Sequence, residues 1–167
     1  MNWLDIIIAI VILGSVIGGL SVGTLRTFFG IIGLVLGTFL AGRYHDILAS
    51  PITWLIGHPN FSHLIGFGII FCIGGAIVGI PTEWFARLRR RKSIIFGCPD
   101  RIVGGLLGFV QGGAIAEVAL VLLAKYPISW LEPAVLGSAI GHFLLIRWPF
   151  MMQFLPKGFQ AVAELFM

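Results

Sequence analysis

Glu117 is the residue whose setting asks most of its chemistry, because it lies inside the apolar run Ala114 to Ala124. A carboxylate in such a run is costly in hydrocarbon, so it has to face protein or water and needs a partner, unless it lies near a thin, wet edge about two turns from Lys125. Asp5, Arg26, Asp100, Arg101 and Gln111 are further polar groups inside or at the edges of apolar stretches. Asp5 follows Asn2, a capping residue type, and falls in a first helical turn, where the helix dipole favours a carboxylate. Asp100 and Arg101 open the last long apolar stretch, either as an end cap with a topology signal or as a docking point reaching Arg26 or Glu83. His45, Asp46, His58 and His63 share one polar connection, where a metal site is conceivable. No two of these histidines have the helix-face spacing of a zinc motif, so no metal or cofactor is expected. G-x-S-x-G, H-E-x-x-H and a phosphate-binding Gly-Lys-Ser/Thr loop are all missing, and no enzymatic activity is expected.

The elements that position these groups follow from composition. The chain is 58% hydrophobic and 11% charged, with mean hydropathy +1.03, whereas soluble domains carry about 25% charge. Disorder needs the opposite composition. Two cysteines, Cys72 and Cys98, cannot supply a disulfide framework. Trp3 to Leu20, Leu25 to Gly42, Leu64 to Ile80 and Ile102 to Ala124 each approach the ~20 residues that cross a bilayer as a helix. The run from Ile6 to Leu13 lacks the alternation of a membrane β-strand. No Lys or Arg precedes Arg26 and no small-x-small cleavage site is convincing, so the first span is expected to stay in the mature protein. The expected fold is an all-α polytopic membrane protein. A membrane domain of four transmembrane helices fills 1–125, and an outward, partly interfacial tail follows at 126–167.

Small residues recur at helical spacing on every span. Gly14 and Gly18 pair on the first, Gly30, Gly33, Gly37 and Ala41 on the second, Gly68, Cys72, Gly75 and Gly79 on the third, and Gly104, Gly108 and Gly112 on the fourth. Such faces let helix backbones approach closely where apolar burial does not drive association, which predicts a tight bundle with glycine-rich packing faces. A pore lining or a hinge is the alternative use of the same pattern. Counted round the fourth helix, Gln111 shares the glycine face while Glu117 lies nearly opposite it. An unbroken helix therefore gives Glu117 a second interface, such as another protomer or a wet groove. A break at Gly112-Gly113 instead makes the segment re-entrant.

Orientation comes from the cations. One side carries Arg26, Arg87, Arg89, Arg90, Arg91, Lys92 and Arg101, and the other Arg43, Lys125, Arg147 and Lys157, so both termini are expected outside the cytoplasm. The segment from Pro81 to Lys92 adds Trp84, Phe85 and Leu88 to its basic cluster. It reads as an anchor on anionic lipid, each cation contributing about 1 kcal/mol. Nucleic acid is not an expected partner, since no stacking platform accompanies the cluster. Pro127 and Pro133 then break the chain. Ala134 to Ile146, too short to cross, fits a helix in the outer interface with Gly137, Ser138, Gly141 and His142 on one side and Leu136, Ile140, Phe143 and Leu144 on the other.

Three stretches carry a family likeness: Met1 to Asp5 with the isoleucine run after it, Gly23-Thr24-Leu25-Arg26, and Pro99-Asp100-Arg101 with the glycine ladder Gly104, Gly105, Gly108, Gly112. Together they resemble the colicin V production protein family over most of the first 125 residues. Gln111 stands where that family commonly has Arg, which removes a cation from the span. The resemblance implies a bacterial inner-membrane protein without catalytic activity, needed for colicin V production and envelope homeostasis. Such a protein would act as a scaffold or accessory with envelope partners or as a homo-oligomer. A small channel or transporter subunit using Glu117 and the glycine-lined fourth helix is the alternative.

Overall fold

The computed structural model describes residues 2–90, 98–126, 132–147 and 152–154. Four long helices dominate: α1 (Trp3–Val22), α2 (Thr24–Ile56), α3 (Pro59–Arg90) and α4 (Cys98–Lys125). Each contains a stretch long and apolar enough to cross a membrane. Two short helices, α5 (Glu132–Leu136) and α6 (Ala139–Arg147), and a 3-10 turn (Met152–Phe154) follow. The joints between helices are glycines with left-handed or related φ. Gly23 (φ +83) separates α1 from α2, and Gly57 (φ +75) ends α2 with its N–H donating to the Thr53 carbonyl. Pro59 then opens α3 at a helix's first position, where its missing N–H costs nothing.

α2 and α3 correct the expected boundaries. His45, Asp46 and His63 do not sit in a polar loop, because helix runs through Ile56 and resumes at Pro59. Hydropathy marks where the solvent changes, and a helix continues past that point whenever its backbone hydrogen bonds remain satisfied. At 33 residues, α2 extends about 50 Å, well beyond a hydrocarbon core of about 30 Å.

α1 lies along α4, α2 lies along α3, and the two pairs meet where α2 runs beside α4. Across the bundle the order is α3, α2, α4, α1. α3 packs almost wholly on α2, which leaves a lateral groove between α1 and α3. The packing is inverted relative to a soluble protein: Ile6, Ile10, Leu13, Ile17, Ile73, Ile77 and Leu106 are exposed, as expected where lipid tails are as apolar as the side chains.

The tail is also corrected. In place of one helix over 134–146, α5 and α6 are separated at Gly137-Ser138, and they pack on α4 and α1. Ala134, Val135, Leu144 and Leu145 belong to the same core cluster as Leu4, Ile8 and Leu120. Ser138 is buried, while Phe143 is 56% exposed. The reason is a carboxylate on α1.

Candidate functional site: a lateral groove and its polar supports

The α1–α4 contact is made backbone to backbone. A methyl group built on Gly104 would run into the Gly19 carbonyl oxygen, one on Gly108 into the Ser15 carbonyl, and one on Gly112 would stand 2.8 Å from the Ile12 Cα. These partners fix an antiparallel register. Between α2 and α3, a Cβ on Gly74 would stand 2.6 Å from the Gly37 Cα, and one on Gly37 2.9 Å from the Phe71 carbonyl oxygen. Gly33 approaches Val78 and the Gly75 backbone, whereas Gly30 makes room for the Gln111 side chain of α4.

The other glycines expected to pack differ. At Gly14, Gly18, Gly68, Gly75 and Gly79 an added Cβ would meet nothing within 4 Å, and Cys72 is exposed. The close approaches are instead made by Gly19 and Gly74, with Gly66 against the His45 carbonyl. The signal for Gly19 was present: Asp5 must face protein, and at 100° per residue Gly19 lies about 40° from it while Gly18 lies about 140° away. On α3, glycines occupy two different faces, and its sequence alone does not say which one meets α2.

Asp5 is buried at 1% exposure and does more than cap its own helix. Its Oδ2 accepts the Asn2 N–H at 2.7 Å. Its Oδ1 accepts the Ser138 hydroxyl at 2.6 Å and the Ile140 N–H at 3.1 Å. Ser138 in turn caps α6, its Oγ accepting the Gly141 N–H at 2.9 Å. The Asn2 side chain donates to the Ala134 carbonyl at 2.9 Å. The start of α1 therefore holds α5 and α6 on the bundle, through partners 132 to 135 residues away.

Asp100 plays the matching part at the opposite end, through hydrogen bonds with Thr24. The Thr24 N–H donates to its Oδ1 at 3.2 Å, and the Thr24 hydroxyl donates to its backbone carbonyl at 2.8 Å. The carboxylate thus satisfies a free donor at the N-terminus of α2. Gly23 suits this joint because its φ of +83 strains any side chain, and a Cβ would also crowd the Asp100 carboxylate. Arg101, by contrast, is exposed.

Glu117 is buried at 1% exposure in an α4 that continues through Gly112-Gly113. The re-entrant reading is thereby corrected. The second interface required by an unbroken helix is built by the chain itself, because α2, α5 and α6 join α1 around α4. Ala114, Ala116, Val118, Leu120 and Val121 beside it are buried too.

The lateral groove encloses about 280 Å³. Ser15, Gly18, Gly19 and Val22 of α1 form one wall, and Gly79 of α3 the other. Arg26, Thr27 and Gly30 of α2 and Gln111 of α4 form its floor. Two of the outward glycines are thus walls of a polar-floored cleft. Arg26 and Gln111, which the sequence leaves unrelated, come together there, while Glu117 and the packed face of Gly104, Gly108 and Gly112 contribute nothing to its lining.

At the far end of α2, His45, Asp46 and His63 converge with Tyr126. His45 Nε2 lies 2.8 Å from the Tyr126 hydroxyl and 3.2 Å from Asp46 Oδ1, and His63 Nδ1 is 3.3 Å from the same oxygen. Burial, and after it the Asp46 charge, push the Tyr126 phenol up to about 12. Of the basic anchor, Arg87, Arg89 and Arg90 continue the helix of α3, and Arg91 and Lys92 lie outside the described residues.

Comparison with known proteins places these features in a family. A family model described as "Colicin V production protein" matches residues 4–146. No curated protein and no solved structure matches. The matched stretch takes in the apolar stretches of all four long helices together with the Asp5–Ser138 and Thr24–Asp100 supports, and the chain belongs to the colicin V production protein family.

Proposed function

We propose that this is a non-enzymatic accessory of the bacterial inner membrane, with both termini outside the cytoplasm, that supports toxin export and envelope homeostasis. In this reading the protein holds one transmembrane helix of an envelope partner in the groove between α1 and α3. The observation that carries it is the groove itself: within the long apolar stretches of its helices the chain leaves a cleft of about 280 Å³ with glycine walls and a floor that includes Arg26, Thr27 and Gln111. Small walls allow a helix to approach closely, and a polar floor gives it hydrogen bonds that lipid tails cannot. The basic end of α3 anchors the same side on anionic lipid.

Leucine at Gly18 or Gly79 tests this directly. Neither position has a neighbour within 4 Å, so both variants should fold and accumulate while losing activity in a colicin V export or envelope-stress assay. A photo-crosslinking residue at position 18 or 79 should give one defined adduct, absent when placed at Ile10 or Ile73 on the exposed faces. Full activity of both leucine variants would refute the reading. The polar floor also admits a small channel, which would have to run through Arg26 and Gln111, because Glu117 does not line the cleft. Liposome flux abolished in Gln111→Leu would favour the channel over the scaffold.

A further inference from the structure

We propose that His45, Asp46 and His63 form a binding site for a divalent transition-metal ion of the zinc class. The three residues come from two helices, and each offers one donor atom: His45 Nε2, Asp46 Oδ1 and His63 Nδ1, all within 4.8 Å of one another. In a tetrahedral site with metal–ligand bonds of about 2.0–2.2 Å, neighbouring donors stand about 3.3 Å apart. Two edges of the cluster already have that length, at 3.2 and 3.3 Å. The third closes with a movement of at most about 1.5 Å from the observed limit of 4.8 Å. His45 and Asp46 are adjacent in α2, and they converge because His63 reaches Asp46 from the facing helix α3.

The alternative use of the same groups is a hydrogen-bond network, and the geometry at His63 argues against it. Its Nδ1 is buried and makes no hydrogen bond among the described residues, although the Asp46 oxygen is 3.3 Å away. A nitrogen so close to an acceptor without a donating geometry suits a shared ligand better than a shared proton. The rings are also held in place. His63 stacks on Tyr126 with centroids 4.9 Å apart and planes 6° apart, and His45 sits edge-on to Phe67 at 6.2 Å. A rigid pair of imidazoles lowers the cost of assembling a site, and the Tyr126 hydroxyl, 2.8 Å from His45 Nε2, gives up that contact when the nitrogen turns its lone pair to a metal. Asp46, with its side chain 71% exposed, provides the route from solvent. Two imidazoles with one carboxylate select zinc, cobalt or nickel over magnesium and calcium. Lys125, whose Nζ is 5.4 Å from the Tyr126 ring centroid, places an opposing cation next to the cluster.

The test uses untagged full-length protein in nanodiscs, stripped with a chelator and titrated with Zn²⁺ and Co²⁺ by calorimetry and absorption. One equivalent should bind, with the intense visible bands of tetrahedral Co²⁺. His63→Ala should weaken binding by about tenfold or more, and so should Asp46→Asn, whose exposed position keeps it clear of folding. Lys125→Gln should tighten binding, and His58→Ala, outside the cluster, should leave it unchanged. No saturable binding would overturn the proposal. So would competition by equimolar Mg²⁺, or a loss in His58→Ala equal to that in His63→Ala.

Discussion

Replacing Gly108 by alanine tests whether the α1–α4 interface is set by backbone contact. The new methyl would stand 3.0 Å from the Ser15 carbonyl carbon and 3.1 Å from the Val16 Cα, besides running into the Ser15 carbonyl oxygen. Carbon atoms rest about 3.5–4.0 Å apart, so α1 has to retreat by about half an ångström or more. None of these neighbours is a side chain that can turn away. A gap of that size forfeits a quarter to a half of each dispersion contact along the seam, and overpacking of this kind costs about 1–3 kcal/mol. Against it stands the better helix propensity of alanine, about 1 kcal/mol. Gly18→Ala, on the same interface helix but with nothing within 4 Å, keeps only the favourable part. Reversible unfolding in mixed micelles should therefore show Gly108→Ala less stable than the parent by up to about 2 kcal/mol and Gly18→Ala equal to it or more stable. Equal effects of the two alanines, or a more stable Gly108→Ala, would refute the reasoning.

Asp5→Ala leaves the Ser138 hydroxyl and the Ile140 N–H without their acceptor. The tail should loosen by about 1.5–3 kcal/mol, read as faster limited proteolysis within 127–147 while the span region stays protected. Asp100→Ala removes the acceptor for Thr24 and should cost about 1 kcal/mol of global stability, with Arg101→Ala, an exposed neighbour, near neutral in the same unfolding assay. For topology, His58→Cys in a background with Cys72 and Cys98 replaced by Ser should react with a membrane-impermeant maleimide from outside intact cells. Labelling only after the inner membrane is permeabilised would reverse the orientation.

An all-helical fold with four helices long and apolar enough to cross a membrane was legible because it depends on composition over ~20 residues. Phase was not equally legible. α1 carries Gly14, Gly18 and Gly19, and the choice among them turns on which face is protein. Asp5 held that information, since a buried carboxylate defines the inner face of its helix and Gly19 shares it. The length of α2 was hidden for a different reason: Arg43, Tyr44, His45 and Asp46 end an apolar stretch without ending a helix, and only Gly57, about three turns beyond Asp46, supplies the left-handed cap that does.

The Asp5–Ser138 link shows what kind of information a single sequence withholds. Each residue looks like a local cap when read alone, and each is one: Asp5 accepts the Asn2 N–H, and Ser138 accepts the Gly141 N–H. Both retain spare capacity, because a carboxylate has further lone pairs and a hydroxyl that accepts at its oxygen still has a proton to donate. Buried next to each other, they satisfy that remainder mutually at 2.6 Å. The same reasoning applies to His45, Asp46 and His63, which look like scattered loop residues until α2 and α3 are drawn as continuous helices that face one another. Spacing along the chain finds partners within one helix, and burial with unspent hydrogen-bonding or ligating capacity is what identifies partners between helices.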